Sequence, residues 1–147
     1  MKSIAILVDT NIALDHLDNR EPYRENAGKI LELCADGSCV GFIAVHSITN
    51  IFYILRKKLT PVERKEILLN LCDVLEVSGI DHGKLLEALQ NNNIDDIEDC
   101  LQINCAKAIG AEYIVTRDLE DFSQSPIPAI SPEDFLEFVK KQAAGNR

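Results

Sequence analysis

The stretch Ile4-Ala5-Ile6-Leu7-Val8-Asp9-Thr10-Asn11 decides how the rest of the chain is read. Five apolar residues in a row, bounded by polar ones, predict a strand covered on both faces, as in the middle of a parallel sheet. The run ends on a carboxylate. In open α/β sheets ligands bind beyond the carboxyl ends of the strands, so Asp9 falls where chemistry is expected. Two roles fit it. It can cap the helix that follows. It can also hold a cation or pair with Lys or Arg, since a covered charge is costly alone. Taken by itself, the stretch favours the cap.

Outward from this strand the chain alternates. Thr10–Leu17 has helical spacing and stops in Asp18-Asn19-Arg20-Glu21-Pro22. A second helix, with Ile30, Leu31, Leu33 and Cys34 on its apolar face, ends before Gly37. Val40–Val45 predicts a second covered strand. It runs into an apolar helix, Ser47–Leu55, that finishes in Arg56-Lys57-Lys58, where positive charge suits a helix C-terminus. Thr60-Pro61-Val62-Glu63 is a capping box for the next helix. Further on come a short strand around Val77, a helix from Asp81 to about Leu89, and a loop at Asn91-Asn92-Asn93. A helix from Asp95 to Ile109 closes at Gly110. The strand Tyr113–Thr116, a brief strand around Ala129-Ile130 and a helix capped by Ser131 complete the chain. This alternation predicts an α/β fold with a mainly parallel sheet. The expected domain is single, over 1–141, with 142–147 as a frayed tail.

Length and composition agree with one globular domain. The chain has 147 residues, 46% hydrophobic and 27% charged, enough to bury roughly two thirds of its unfolded surface. The N-terminal apolar run is too short for a signal peptide or a membrane span, which points to a cytoplasmic protein. Cys34, Cys39, Cys72, Cys100 and Cys105 are odd in number with no C-x-x-C pair, so reduced thiols are expected rather than a disulfide framework or zinc site. The net charge of −9 argues against nucleic-acid binding through bulk charge. It leaves room for an acidic metal site served by a local basic strip, of which Arg56-Lys57-Lys58 and Arg64-Lys65 are the candidates.

Two other acidic stretches echo the first. Asp118 follows the strand Tyr113–Thr116, so it too belongs at a carboxyl end. Asp95-Asp96-Ile97-Glu98-Asp99 puts four acids at the start of a helix, more than its dipole needs. Counting helical turns puts Asp96, Asp99, Ile103 and Ala106 on one stripe and Ile97, Leu101, Cys105 and Ala108 on another, with Glu98 off the acidic stripe. Converging carboxylates without His or Cys partners suit a hard cation such as Mg²⁺ or Mn²⁺. The reaction this chemistry supports is metal-assisted phosphodiester hydrolysis. His16, His46 and His82 share no ligand spacing, and Tyr53 reads as a core residue of its helix.

Three blocks taken together carry a resemblance: Val8-Asp9-Thr10-Asn11, Asp96-Ile97-Glu98-Asp99-Cys100-Leu101-Gln102, and Ile114-Val115-Thr116-Arg117-Asp118-Leu119-Glu120-Asp121-Phe122. In order and separation they resemble the motifs of the PIN-domain family, over about Ser3 to Lys141. The resemblance implies a three-layer α/β/α sandwich and a Mg²⁺- or Mn²⁺-dependent endoribonuclease. Within that family the chain is similar to VapC-type toxins of bacterial toxin–antitoxin pairs, which implies an RNA substrate, an antitoxin partner and a homodimer. It implies Asp9, Asp99 and Asp118 as catalytic, metal-binding acids, Asp96 as a further metal ligand, and Thr10 and Thr116 as supporting residues. Asp121 falls in the third block but outside the metal's direct ligands. Arg56, Lys57 and Lys58 would steer the RNA phosphates. One departure stands out. The family usually places a Glu early in the helix after the second strand, and this chain has no acid from Gly41 to Thr60. Asn50 takes the place, an amide that brings no charge and cannot act as a base. The alternative reading is therefore a PIN-fold module, weak or inactive in catalysis, that acts by binding protein or RNA. A receiver-like phosphoacceptor fits less well, because it needs a mid-chain Asp and a Lys after a late strand.

Overall fold

The computed structural model describes residues 3–145. Five parallel strands, β1 (Ile4–Val8), β2 (Cys39–Ala44), β3 (Glu76–Ser78), β4 (Tyr113–Val115) and β5 (Ala129–Ile130), line up in the order β3-β2-β1-β4-β5. Around them lie α1 (Thr10–Leu17), α2 (Arg24–Ala35), α3 (Val45–Ile54), α4 (Pro61–Val74), α5 (His82–Gln90), α6 (Ile97–Ala108) and α7 (Pro132–Gly145).

The alternation of β1 builds two cores. Ile6 and Val8 face one way, among Ile12, Ile30, Ile51, Leu68 and Phe135 of α1, α2, α3, α4 and α7. Leu7 faces the other, against Ile103, Cys105 and Ala106 of α6, with Ile114 and Phe122. All three strand residues are fully covered, and each such side chain stabilises the fold by roughly 1.5–3 kcal/mol. A strand sealed on both faces has to be central, and the result is the three-layer α/β/α sandwich that the resemblance implies. Gly41 of β2 is required by close packing: a Cβ there would meet Cys34 Sγ and Leu75 Cδ2 at 2.5 Å, which lets α2 lie close on the sheet.

Helix α7 runs four residues past Lys141, beyond the point where the sequence predicts fraying. Phe135 anchors it in the core, and Phe138 meets the Tyr113 ring edge-on at 5.3 Å between centroids. Asn146 and Arg147 lie outside the described residues. No helix among the described residues is long and apolar enough to cross a membrane.

The strand order matters for the site. The chain steps outward from β1 to β2 to β3, then crosses back to β4 on the other side of β1. After β1 it turns into α1 on one face, while after β4 a 3-10 turn, Leu119–Phe122, sends Phe122 into the opposite core. A crevice opens between two connections that leave in opposite directions, and Asp9 and Asp118 stand there.

Candidate active site

Asp9 has an extended backbone and caps α1, its Oδ1 accepting from Thr10 N at 2.8 Å. The cap predicted from the sequence is therefore real, but it uses only part of the carboxylate. Gln102 Nε2 also donates to Oδ1, at 2.8 Å, and Thr116 Oγ1 donates to Oδ2 at 2.7 Å. The register Val8↔Val115 makes Thr116 the natural neighbour. Asp9 is 7% exposed. Burial raises its pKa, opposed by the hydrogen bonds from Thr116, Gln102 and Thr10, with a small further push from Asp118.

Beneath Asp9 lies a buried polar cluster. Thr10 Oγ1 and Ser47 Oγ are 2.6 Å apart, and Gln102 Nε2 lies 3.3 Å from Ser47 Oγ. Gln102 is wholly buried on α6, where a carboxamide is expensive unless bonded. Its role was not legible in the sequence: the residue it serves is 93 positions away. Ser47 was likewise unassigned. His46 sits beside Gln102, and burial lowers its pKa.

Asp118 enters from β4. Asn11 Nδ2 donates to Asp118 Oδ2 at 2.9 Å and lies 3.4 Å from Asp9 Oδ2, bridging the two acids. Thr116 Oγ1 accepts from Asp118 N at 3.0 Å while donating to Asp9. Arg117, between them in sequence, turns away and pairs with the buried Asp15 of α1.

The start of α6 corrects the helical arithmetic. Asp96 is not within the helix but caps it, accepting from Asp99 N at 3.2 Å. Glu98, assigned off the inward stripe, instead faces the cleft, 3.4 Å from Thr10 Oγ1. Ile97 is 42% exposed and Ala108 is exposed, so the second apolar stripe is open at both ends and covered at Cys105. The buried residues of α6 are Cys100, Gln102, Ile103, Cys105 and Ala106. Together Asp9, Thr10, Asn11, Leu14, Asp96, Glu98, Asp99, Asp118 and Asp121 line a cleft of about 270 Å³. Asp99 is pushed up to about 7, first by burial, then by the charges of Asp96, Asp121, Asp9 and Glu98. Glu98 is raised as well, by burial and then by Asp9 and Asp96.

The donor chemistry fits a hard divalent cation. The acidic ligands offer only oxygens, and their mutual repulsion is what a cation relieves. Among the described residues no three His, Cys, Asp or Glu side chains are already converged as a ligand set. Asp118 is held by Asn11 and Asp96 is engaged as a cap, while Glu98 and Asp99 stand in the cleft lining.

A pH dependence follows. At Asp99 the folded chain keeps, between the ordinary Asp value of 3.8 and about 7, a proton that the unfolded chain has released. The Asp99 contribution to metal-free stability is therefore full at the acid side of that window and falls as pH rises through it. Thermal unfolding in EDTA at about pH 5 and about pH 8 should show a larger loss for wild type than for Asp99→Asn, and Mn²⁺ should restore more stability at the higher pH. Equal losses in the two proteins would show that the Asp99 charge is not strained.

Other candidate residues lie outside the cleft lining. Asn50, half-buried on α3, does not line it. Arg56 stacks on the Tyr53 ring at 3.8 Å, so Tyr53 is an exposed platform and not the core residue its helix suggested. Lys58 pairs with Asp18 at 2.7 Å. Asp18 caps the far end of α1, about 12 Å of helix from Asp9.

A family model described as PIN domain matches residues 5–120. Ribonuclease VapC1 of Aquifex aeolicus (strain VF5) is 25% identical over 141 residues, covering 93% of this chain and 96% of that one. The crystal structure of VapBC2 from Rickettsia felis, bound to a DNA fragment from its promoter, superposes with a TM-score of 0.65 at 20% identity, covering 87% of this chain and 98% of that one. DNA-bound VapBC from Salmonella typhimurium gives 0.66 at 20% identity, covering 88% and 98%.

Proposed function

This chain belongs to the PIN-domain family, and we propose that it is a divalent-metal-dependent endoribonuclease, the toxin of a toxin–antitoxin pair. One observation carries the reading: Asp9, Asp118, Asp99 and Glu98 line one cleft at the carboxyl ends of β1 and β4. Asp9, Asp99 and Asp118 would hold Mg²⁺ or Mn²⁺, with Asp96 at the rim. A bound cation there would offset charge at the scissile phosphate and make a nearby water more acidic. Glu98, placed beside Thr10, supplies from α6 the carboxylate that Asn50 does not supply from α3. Thr10, Thr116 and Gln102 hold Asp9, and Asn11 holds Asp118, with both carboxylates in the lining of the cleft. Arg56, Lys57 and Lys58 would engage RNA phosphates beyond the cleft.

The toxin reading is supported by the relative named a ribonuclease and by the VapBC neighbours. It carries with it an antitoxin partner, a homodimer and a cytoplasmic setting. The second reading, a binding module without catalysis, draws on Asn50. Incubating purified protein with RNA and Mn²⁺ separates the two. Cleavage that stops in excess EDTA is expected. Cleavage that persists in EDTA would overturn the metal mechanism, and none at millimolar Mn²⁺ would favour the binding module.

A further inference from the structure

Far from the carboxylates, at the opposite end of the sheet, two cysteines face each other. Cys34 lies in the last turn of α2, and Cys39 opens β2, paired in register with Ile4 at the start of β1. Their sulfurs are 3.6 Å apart. We propose that Cys34 and Cys39 form a reversible intramolecular disulfide, a thiol-oxidation site at the α2–β2 corner.

Three observations support it. The turn between them is short and preformed: Gly37 takes the left-handed conformation at φ 84°, and Asp36 accepts from Ser38 N at 2.8 Å. The sulfurs need to close by about 1.5 Å to reach bonding distance. A cavity of about 360 Å³, lined by both cysteines together with Gly37, Gly41 and the exposed Cys72, opens onto the pair and admits a small oxidant.

The oxidant is a low-molecular-weight disulfide such as oxidised glutathione. The thiolate of Cys34, the less buried of the two, attacks one of its sulfurs, breaking that S–S bond and releasing one small thiol. Cys39 then loses its proton and attacks Sγ of Cys34, releasing the second small thiol. Two protein thiols are oxidised and one small disulfide is reduced to two thiols. A bridge at the amino-terminal edge of β2 leaves the cleft untouched.

Tryptic mapping tests this directly, because the peptide 30–56 holds both cysteines and the peptide 66–84 holds Cys72. The full chain is treated with graded mixtures of oxidised and reduced glutathione, then alkylated without reduction. The expected product is peptide 30–56, lighter by two hydrogens and unalkylated, restored by dithiothreitol. It should persist in Cys72→Ser and vanish in Cys39→Ser, and metal-induced stabilisation should be equal in both redox forms. A cross-link between 30–56 and 66–84, a stable glutathione adduct on Cys34, or free thiols throughout in the folded chain would each overturn the proposal.

Discussion

Asp9→Asn is expected to lower RNA cleavage by about 10³-fold, ~4 kcal/mol in barrier, while the fold survives. The replacement is nearly isosteric, and each neighbour can adapt. The Thr116 hydroxyl can accept instead of donate, and the Gln102 amide can still find the Asn carbonyl. What is lost is one negative charge among the acids that line the cleft. Burial already raises the Asp9 pKa, so its charge is an expense to the metal-free protein. Removing it should leave the metal-free thermal midpoint unchanged or higher, while the rise induced by Mn²⁺ shrinks. A structural role alone would move these readouts the other way, lowering the midpoint and sparing the metal response. Gel assays of RNA cleavage, with thermal unfolding in EDTA and in Mn²⁺, check all three. Cleavage at the wild-type rate by folded Asp9→Asn would sink the assignment.

The second large effect is on stability. Arg117→Ala should cost about 3–5 kcal/mol, a large part of the roughly 5–15 kcal/mol of an ordinary domain. Arg117 grips Asp15 at two points, Nε to Oδ2 at 2.7 Å and a terminal nitrogen to Oδ1 at 3.1 Å. Its guanidinium also lies on the Tyr23 ring at 3.9 Å. The Asp15 side chain is 1% exposed, so truncating the arginine strands a buried carboxylate. Adding Asp15→Asn to Arg117→Ala should recover part of the loss, because the stranded charge is gone. Urea unfolding midpoints of the single and double variants measure it. A single-variant loss below about 1 kcal/mol would mean that water reaches Asp15 freely. The bridge also ties the β4 loop to α1, so weaker Mn²⁺ binding is expected alongside, through misplacement of the adjacent Asp118.

Much of this molecule was legible in the residues. The apolar run Ile4–Val8 demanded a strand covered on both faces, and β1 is central for that reason. The capping box at Thr60–Glu63 forms as the spacing requires. Asp9 and Asp118 each end a strand, which in a parallel sheet puts both at the carboxyl edge whatever the strand order. The misreadings have local causes. Counting α6 from Asp95 put Asp96 on an inward stripe, but Asp96 ends the helix by capping it. Cβ bonds point toward a helix's N-terminus, and so Glu98 in the first turn reaches back to Thr10.

The sequence by itself determined the order of strands and helices and which carboxylates stand at their ends, because periodicity and capping are local and short-range. The tertiary structure alone decided which lone pairs are taken. Gln102 reaches Asp9 from 93 residues away, Asn11 bridges Asp9 and Asp118, and Ser47 sits on Thr10. A side chain's hydrogen-bond partners depend on which elements the crossover brings into contact, and no spacing along the chain encodes that. The same reason explains Cys34 and Cys39, whose spacing suggested no site and whose sulfurs meet only once α2 lies against β2.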